Sequence, residues 1–188
     1  MLWGVSLAGG HVFEVAADRE DVTAVVSLTP IVSGLAAGIL AFAHHKPGSI
    51  LRSTGSGLRS RFGKPVMMPL VGRPGEVAAL SLDGHYDDYL AITGPTWRNE
   101  IDASVGLELG QLRASRAAAR VACPVLVQIA DFDRSAPPQA SAKAAVKARA
   151  EVRHYPCDHF DVWPGKPWFE ASLAHQTRFL RRALTPVT

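Results

Sequence analysis

The sequence predicts an α/β protein in which helices flank a parallel sheet, with a mainly helical insertion in the middle of the chain. An apolar strand at Leu2 to Val5 precedes a helical pattern at His11 to Ala17 and a second apolar run at Val22 to Leu28. Strand, helix and strand within about 30 residues form a βαβ unit, which implies parallel strands. Two further strands, Pro124 to Ala130 and Glu151 to Tyr155, predict a continuation of the same sheet.

The local pattern of each element supports this class. The runs VTAVVSL and PVLVQIA are continuous and rich in β-branched residues, which is typical of strands covered on both faces. Helical spacing predicts helices at Pro138 to Ala150 and Phe169 to Leu184. In the last, amphipathic helix we expect one face to be formed by Leu173, Gln176, Thr177, Leu180 and Leu184.

The middle of the chain, residues 30 to 120, has weaker periodicity and is interpreted as a cap-like insertion within a single domain, residues 1 to 188. The apolar run Ile31 to Ala43 is shorter than the roughly 20 residues that cross a bilayer, so it predicts a buried or cap helix. Residues 48 to 63 are rich in Gly, Ser and Arg, and we expect them to form a mobile loop.

Composition and charge argue against several classes of protein. The chain has 47% hydrophobic residues, 20% charged residues and a formal charge of +3, as an ordinary globular domain does. Its basic residues lack the interleaved aromatic side chains of a nucleic-acid-binding face. We expect no nucleic-acid partner, no membrane partner and, without a secretory signal at the start, a cytoplasmic location. Cys123 and Cys157 are too few for a disulfide framework and are interpreted as buried thiols.

Ser6 lies at a predicted strand-to-helix turn, in the sequence GVSLAGG that begins at Gly4. A sharp turn of this kind lifts a serine hydroxyl clear of the sheet edge, and small residues let the following helix pack closely behind it. The helix then directs its amino end, including the N–H of Leu7, at a developing oxyanion. Ser6 is therefore a candidate nucleophile and Leu7 a candidate oxyanion donor, although Ala8 replaces the second glycine of the G-x-S-x-G pattern.

Two aspartates follow the strand that ends at Ala130, in the sequence DFDRSAPP. A carboxylate at the carboxyl end of a parallel strand lies where open α/β sheets place their active sites. Either Asp131 or Asp133 could orient a catalytic histidine, and either could instead cap the helix that starts near Pro137.

His159 lies in the loop after the strand that ends at Tyr155, in the sequence YPCDHFD. From this loop an imidazole can reach over the end of the sheet towards Ser6. Serine, acid and histidine occur in that order, each just after a strand of one predicted parallel sheet. This order is the one found in α/β-hydrolases.

Three segments of the chain resemble the α/β-hydrolase family specifically. LWGVSLAGGH resembles the nucleophile elbow of a subgroup with a G-x-S-x-x-G-G-H form, CPVLVQIADFDRSAPP looks like the acid strand and its turn, and YPCDHFDVWPG resembles the histidine loop. GPTWRNE resembles a cap segment of that subgroup more weakly. The resemblance implies Ser6 as the nucleophile, Asp133 as the acid and His159 as the base. It favours Asp133 over Asp131 because the family turn places the carboxylate four residues before a proline, here Pro137.

The resemblance implies a serine hydrolase that transfers the acyl group of a small ester-like substrate to water, without a cofactor or a metal. His159 would take the proton of Ser6, and Asp133 would orient His159. The apolar helix of the insertion predicts an apolar acyl or alkyl group. Two rival hypotheses stay open: a binding or regulatory module that keeps the fold without chemistry, and metal-dependent hydrolysis by a cluster comprising Asp131, Asp133, Asp158, His159 and Asp161.

The predicted elbow strand begins almost at Met1, whereas hydrolases of this family have several strands and helices before the nucleophile. We therefore expect an incomplete α/β-hydrolase fold without the second oxyanion donor, which the family takes from an earlier loop. The elbow strand would also have an unpaired edge. We expect the isolated chain to be poorly soluble, to form a homo-oligomer, or to be completed by an N-terminal chain.

Overall fold

The structure, a computed structural model, describes residues 1–44 and 47–185. They form two compact units: residues 1–37 together with the chain from residue 112 onward, and residues 38–111. The strands are Leu2–Val5 (β1), Val25–Leu28 (β2), Met67–Met68 (β3), Ile101–Asp102 (β4), Val125–Ala130 (β5) and Glu151–Tyr155 (β6). The helices are Ser6–Ala16 (α1), Gly34–His44 (α2), Pro47–Phe62 (α3), His85–Leu90 (α4), Val105–Gln111 (α5), Ala114–Ala117 (α6), Pro138–Lys147 (α7) and Phe169–Leu184 (α8), with a 3₁₀ turn at Ala118–Arg120.

The first unit is built on a four-stranded parallel sheet in the order β1-β2-β5-β6. The two inner strands are buried along their whole length, as their continuous apolar sequences predicted. Ala24, Val26 and Leu126 pack against Phe179 of α8 to form a hydrophobic cluster. Because the strands are parallel, their carboxyl ends lie at one edge of the sheet, and the predicted parallel sheet flanked by helices is confirmed.

Helix α8 has the predicted bounds, and Leu180 of the predicted face packs against the core cluster, but other residues of that face are exposed. Its buried residues are Ser172 and Phe179, whereas Leu173 and Leu184 are 42% and 44% exposed. The reason is a polar residue inside the sheet: the amide Nε2 of Gln128 in β5 donates a hydrogen bond to the Ser172 carbonyl oxygen at 3.0 Å. The Ser172 hydroxyl in turn donates to Oε1 of Gln128 at 3.4 Å. A buried amide needs such partners, so a serine, not a leucine, faces β5 here.

The prediction of a mobile loop at residues 48 to 63 is wrong, because this segment lies in helix α3. Its small residues serve close packing within the second unit. A Cβ atom at Gly57 would lie 2.8 Å from the carbonyl oxygen of Ala103, and the Ser60 hydroxyl donates to the Asp102 carboxylate at 2.7 Å. Composition favoured a loop, but contacts distant in the sequence stabilise a helix.

The second unit also contains the antiparallel pair β3 and β4. Asn99 fixes its interior: the Val71 N–H donates to Asn99 Oδ1 at 2.9 Å, and Asn99 Nδ2 donates to the Val71 carbonyl oxygen at 2.8 Å. Among the helices of the described ranges, none is long and apolar enough to cross a membrane. The predicted division into one domain with a cap at residues 30 to 120 stays a prediction.

Candidate active site

Ser6 occupies a strained turn between β1 and α1. Its φ angle is +56°, which places a residue with a Cβ atom in the left-handed region that glycine prefers. It is also the first residue of α1, so that the helix begins five residues earlier than the sequence pattern predicted. A 3.0 Å hydrogen bond from the Ile31 N–H to the Ser6 carbonyl oxygen holds the turn in this conformation. Strained residues held in this way cluster at functional sites.

The glycines around Ser6 are required by close backbone approaches. A Cβ atom at Gly4 would lie 2.3 Å from the carbonyl oxygen of Ala8, and one at Gly10 would lie 2.0 Å from that of Ile31. Neither position can hold a side chain without moving the turn. Ala8, in contrast, is exposed within α1, which explains why an alanine is accepted at the second glycine position of the usual pattern.

The amino end of α1 lies directly after Ser6, and Leu7 is its second residue. The N–H groups of a first helical turn have no acceptor within the helix, and the helix dipole adds partial positive charge there. No acidic side chain occupies this first turn. The local electrostatics therefore favour an anion beside the Ser6 hydroxyl.

Asp133 and His159 form a buried pair. Nδ1 of His159 lies 2.7 Å from Oδ2 of Asp133, and both side chains are 1% exposed. The other carboxylate oxygen of Asp133 accepts hydrogen bonds from the N–H groups of Ser135 at 2.7 Å and Ala136 at 2.6 Å. With three hydrogen bonds the carboxylate has a fixed orientation. An Nδ1–H that donates to it leaves Nε2 of His159 as the basic nitrogen.

Aromatic side chains pack around His159. The ring of Phe160 meets the imidazole edge-on, with centroids 5.0 Å apart, and the ring centroid of Trp163 lies 6.4 Å from that of His159. Phe160 and Trp163 also contact each other at 4.7 Å. These contacts limit the rotation of the imidazole and exclude water from its sides.

Asp131, the competing acid, binds a different histidine. Its Oδ1 lies 2.6 Å from Nδ1 of His154, and these two side chains are 39% and 51% exposed. The two aspartates of the same turn thus have separate partners, one at the surface and one in the interior. This arrangement supports the choice of Asp133 for the buried histidine.

The sheet order relates these groups to Ser6. Ser6 directly follows β1, Asp133 follows β5 and His159 follows β6, and all three strands run in the same direction. All three residues therefore come after the carboxyl ends of strands, at one edge of one sheet, where open α/β sheets bind their ligands.

The edge also carries a thiol, Cys157, and the aspartates proposed as metal ligands. Burial, followed by the nearby carboxylates of Asp161 and Asp133, raises the pKa of the Cys157 thiol to about 12, so it stays protonated and a poor nucleophile at neutral pH. Across the described residues, no three His, Cys, Asp or Glu side chains are grouped so that they could hold a metal ion. Of the four aspartates proposed as metal ligands, Asp131, Asp133 and Asp158 contact His154, His159 and Arg134, respectively. The fourth, Asp161, accepts a hydrogen bond from the Asp158 N–H.

Sequence reasoning missed two features of this edge. Thr29 follows β2 with a φ of +41° and a buried hydroxyl that has no hydrogen-bond partner among the described residues. Arg134 forms an ion pair with Asp158, which links the two loops that carry Asp133 and His159. Both depend on the folded positions of distant segments, and no local sequence pattern signals them.

No protein-family model matches the chain. Among curated proteins, the chain is 30% identical over 195 residues to the quorum-quenching protein AidA of Acinetobacter baumannii, an alignment that covers 100% of this chain and 62% of AidA. It is also 28% identical to an uncharacterized 31.7 kDa Escherichia coli protein, of which it covers 64%. The chain therefore spans less than two thirds of the length of these relatives.

Solved structures share the fold at lower identity. DcsB, solved in complex with a substrate analogue, matches with a TM-score of 0.70 and 22% identity over 99% of this chain and 64% of that chain. The monoacylglycerol lipase of Paleococcus ferrophilus matches at 0.66 and 18% identity over 96% of this chain and 67% of the lipase. The α/β-hydrolase GrgF of a Penicillium species matches at 0.61 and 17% identity, over 97% of this chain and 63% of GrgF.

Proposed function

Because the chain belongs to the α/β-hydrolase family and has part of that fold, we propose that it acts as a serine hydrolase on small ester-like substrates, with Ser6, His159 and Asp133 as its catalytic triad. The observation that carries this proposal is the buried Asp133–His159 pair at the sheet edge where a strained serine begins a helix. A buried histidine oriented by a carboxylate is the arrangement that activates a serine hydroxyl.

The proposed reaction begins with proton transfer. Nε2 of His159 accepts the proton of the Ser6 hydroxyl as the Ser6 Oγ attacks the substrate carbonyl carbon. Asp133, bound to Nδ1–H, keeps the imidazole in the tautomer that leaves Nε2 basic and stabilises the imidazolium that forms. The buried position of both side chains strengthens this interaction, because little water screens it.

The tetrahedral intermediate places negative charge on the former carbonyl oxygen. We assign the Leu7 N–H, at the amino end of α1, as one donor to this oxyanion. His159 then gives its proton to the leaving alcohol, and a water molecule, activated by the same imidazole, hydrolyses the acyl-enzyme. Removing one oxyanion donor in a well-studied protease costs about 10²- to 10³-fold in rate, so the contribution of α1 is substantial.

Two observations support an ester with an apolar acyl group. One neighbour is a lipase by name. In addition, α2 exposes Leu35, Ile39 and Phe42, whose spacing of four and three residues places them on one face of the helix. The proposal that residues 30 to 120 form a cap that selects this group stays a prediction.

Steady-state hydrolysis of 4-nitrophenyl esters of increasing acyl length tests the proposal. We expect Ser6→Ala to lower kcat/KM by about 10³-fold or more, and Ser115→Ala, on α6 in the same unit, to leave it unchanged. Equal activity of Ser6→Ala and the wild type would refute the assignment. A folded wild-type protein that hydrolyses none of these esters would favour the rival hypothesis of a binding module.

The predictions of a homo-oligomer or of a completing N-terminal chain concern strand β1. It is an edge strand of the described sheet, and such an edge offers free backbone groups for pairing. That a second copy of the chain or another chain segment covers it stays a prediction, and size-exclusion chromatography with light scattering tests it.

A further inference from the structure

Asp158 joins the two loops that carry the proposed acid and base. We call residues 131–137 the acid turn and residues 156–167 the histidine loop. Oδ1 of Asp158 accepts hydrogen bonds from the backbone N–H of Arg134, at 3.0 Å, and from that of His159, at 2.8 Å. Its Oδ2 binds the Arg134 guanidinium at 2.5 Å. One carboxylate therefore contacts both loops through three groups.

These contacts form a second side-chain connection beside the Asp133–His159 hydrogen bond. Asp133 and Arg134 are neighbours on the acid turn, and Asp158 and His159 are neighbours on the histidine loop. Through side chains the loops are thus joined by two adjacent links, one through each pair of neighbours, and the Phe132 N–H donates a third, backbone hydrogen bond to the Cys157 carbonyl oxygen at 3.0 Å. The backbone bond joins the loops near their first residues, whereas the two side-chain links lie directly at the acid and the base and fix the distance and the angle between them.

The electrostatics of Asp158 suit this role. Its side chain is only 23% exposed. Burial raises the pKa of this carboxyl. The N–H groups of Arg134 and His159 and the Arg134 guanidinium lower it by a larger amount, so that the pKa of Asp158 lies below its usual value. Asp158 is therefore a carboxylate at neutral pH, and its hydrogen bonds are of the strong, charge-assisted kind.

The backbone of Asp158 is also held in place. Its N–H donates to Oδ2 of Asp161 at 2.9 Å, within the histidine loop. The carboxylate of Asp158 consequently acts from a rigid position. The resemblance to hydrolases assigns no role to Asp158, and the sequence suggested it only as a member of a metal-binding cluster.

We infer that Asp158 is a positioning residue that locks the acid turn to the histidine loop and so holds His159 in the orientation that Ser6 requires. The inference rests on the proposed hydrolase function. Asp158 acts through His159 and the acid turn, since its carboxylate oxygens are bound to protein groups. Displacement of a catalytic group by about 1 Å can reduce turnover about 100-fold, so loss of the second link should lower kcat while KM stays nearly constant.

The test compares two matched substitutions, Asp158→Asn and Asp131→Asn. Each replaces one carboxylate, Asp131 on the acid turn or Asp158 on the histidine loop, by an amide of the same shape. Among the contacts described above, the Asp131 carboxylate binds only the exposed His154. We expect Asp158→Asn to lower kcat by about 10- to 100-fold with KM within about twofold of the wild type. Asp131→Asn should keep both constants within about twofold.

Active-site titration with a fluorophosphonate separates positioning from loss of folded protein. A purely structural defect would lower the number of sites that are labelled, with an unchanged kcat for each labelled site. A positioning defect lowers kcat for each labelled site. Arg134→Lys, which keeps the charge but loses the planar guanidinium, serves as a second variant if Asp158→Asn folds poorly. It should also lower kcat for each labelled site, by less than Asp158→Asn, because the Arg134 N–H still donates to Asp158.

A double variant, Arg134→Lys with Asp158→Asn, tests whether the two residues act as one unit. We expect the double variant to be about as slow as the slower single variant, because both substitutions break the same link. If the kcat losses of the two single variants instead multiply in the double variant, the inference is wrong. A kcat of Asp158→Asn equal to that of Asp131→Asn would also overturn it, and either result would leave the hydrolase assignment intact. A wild-type protein without esterase activity and without labelling at Ser6 would overturn both.

Discussion

Asp131 and Asp133 lie two residues apart on one turn, yet their carboxylates bind histidines in opposite environments. Asp131 contacts His154 at the surface, while Asp133 contacts His159 in the interior. The difference follows from the turn itself, because the backbone N–H groups of Ser135 and Ala136 bind Asp133 and hold its carboxylate inward. The same residue type therefore has two different roles within three positions of the chain.

The first prediction concerns these two aspartates. Asp133→Asn should lower kcat by about 10³- to 10⁴-fold, because an amide can stabilise the wrong tautomer of His159 and cannot stabilise its charged form. Asp131→Asn should change kcat by no more than about twofold. Ester hydrolysis at pH 8 measures both. Equal losses for the two variants would contradict the assignment of Asp133.

The strain at Ser6 gives the second prediction. Ser6→Gly and Ser6→Ala both remove the hydroxyl, but only glycine accepts a φ of +56° without strain. We expect the free energy of unfolding of Ser6→Gly to be about 1 kcal/mol higher than that of Ser6→Ala. Both variants should lack esterase activity. Urea denaturation compares them directly. A less stable Ser6→Gly would mean that the turn is relaxed.

Thr29 gives the third prediction. Its buried hydroxyl lacks a partner among the described residues, and valine has the same shape without the hydroxyl. Thr29→Val should therefore raise the free energy of unfolding by about 1 kcal/mol. The control is Ser27→Ala, which removes a 2.7 Å hydrogen bond to the Gly9 carbonyl oxygen and should lower it by about 1 kcal/mol. If Thr29→Val instead destabilises the protein, the Thr29 hydroxyl must form a hydrogen bond, and the prediction is wrong.

The fourth prediction tests the packing behind the elbow. Gly10→Ala would place a methyl group 2.0 Å from the backbone oxygen of Ile31, and we expect a loss of about 2 kcal/mol or more in stability. Gly38→Ala, in α2, meets nothing within 4 Å and should raise stability by up to about 1 kcal/mol. Thermal unfolding of the two variants tests the contrast, and a tolerated Gly10→Ala would contradict the close approach.

The depressed pKa of Asp158 gives the fifth prediction. An unfolded aspartate titrates near pH 3.9, so a lower folded pKa contributes stability that is complete above about pH 4. That contribution is lost as the pH falls through the folded value. The stability difference between wild type and Asp158→Asn should therefore be constant from pH 7 to 5 and shrink below pH 4. Urea unfolding at each pH measures it, and a difference that grows at low pH would contradict the prediction.

Much of the fold could be predicted from the sequence because its inner strands are unusually regular. Apart from Ser27 and Gln128, the runs that form β2 and β5 are apolar, which is typical of strands covered on both faces. Helix α3 could not be predicted in this way. Its glycines and serines favour loops by propensity, and the contacts of Gly57 and Ser60 that stabilise the helix come from residues more than 40 positions away.

The candidate site, like the fold, could be predicted only in part from the sequence. The order of serine, acid and histidine, each just after a strand of the predicted parallel sheet, is visible in the sequence, and so are the small residues around Ser6. The choice between Asp131 and Asp133 depended on a resemblance, since it is decided by the conformation of a turn. The Arg134–Asp158 link joins residues 24 positions apart, and neither residue has a local pattern that marks it.

The measurement that most directly tests the central claim is mass-spectrometric mapping of a fluorophosphonate adduct on the wild type, His159→Gln and Asp158→Asn. The account predicts one adduct per chain, located on Ser6, formed much more slowly in His159→Gln and at an intermediate rate in Asp158→Asn. A folded wild-type protein that forms no adduct, or one labelled on a serine other than Ser6, would contradict it.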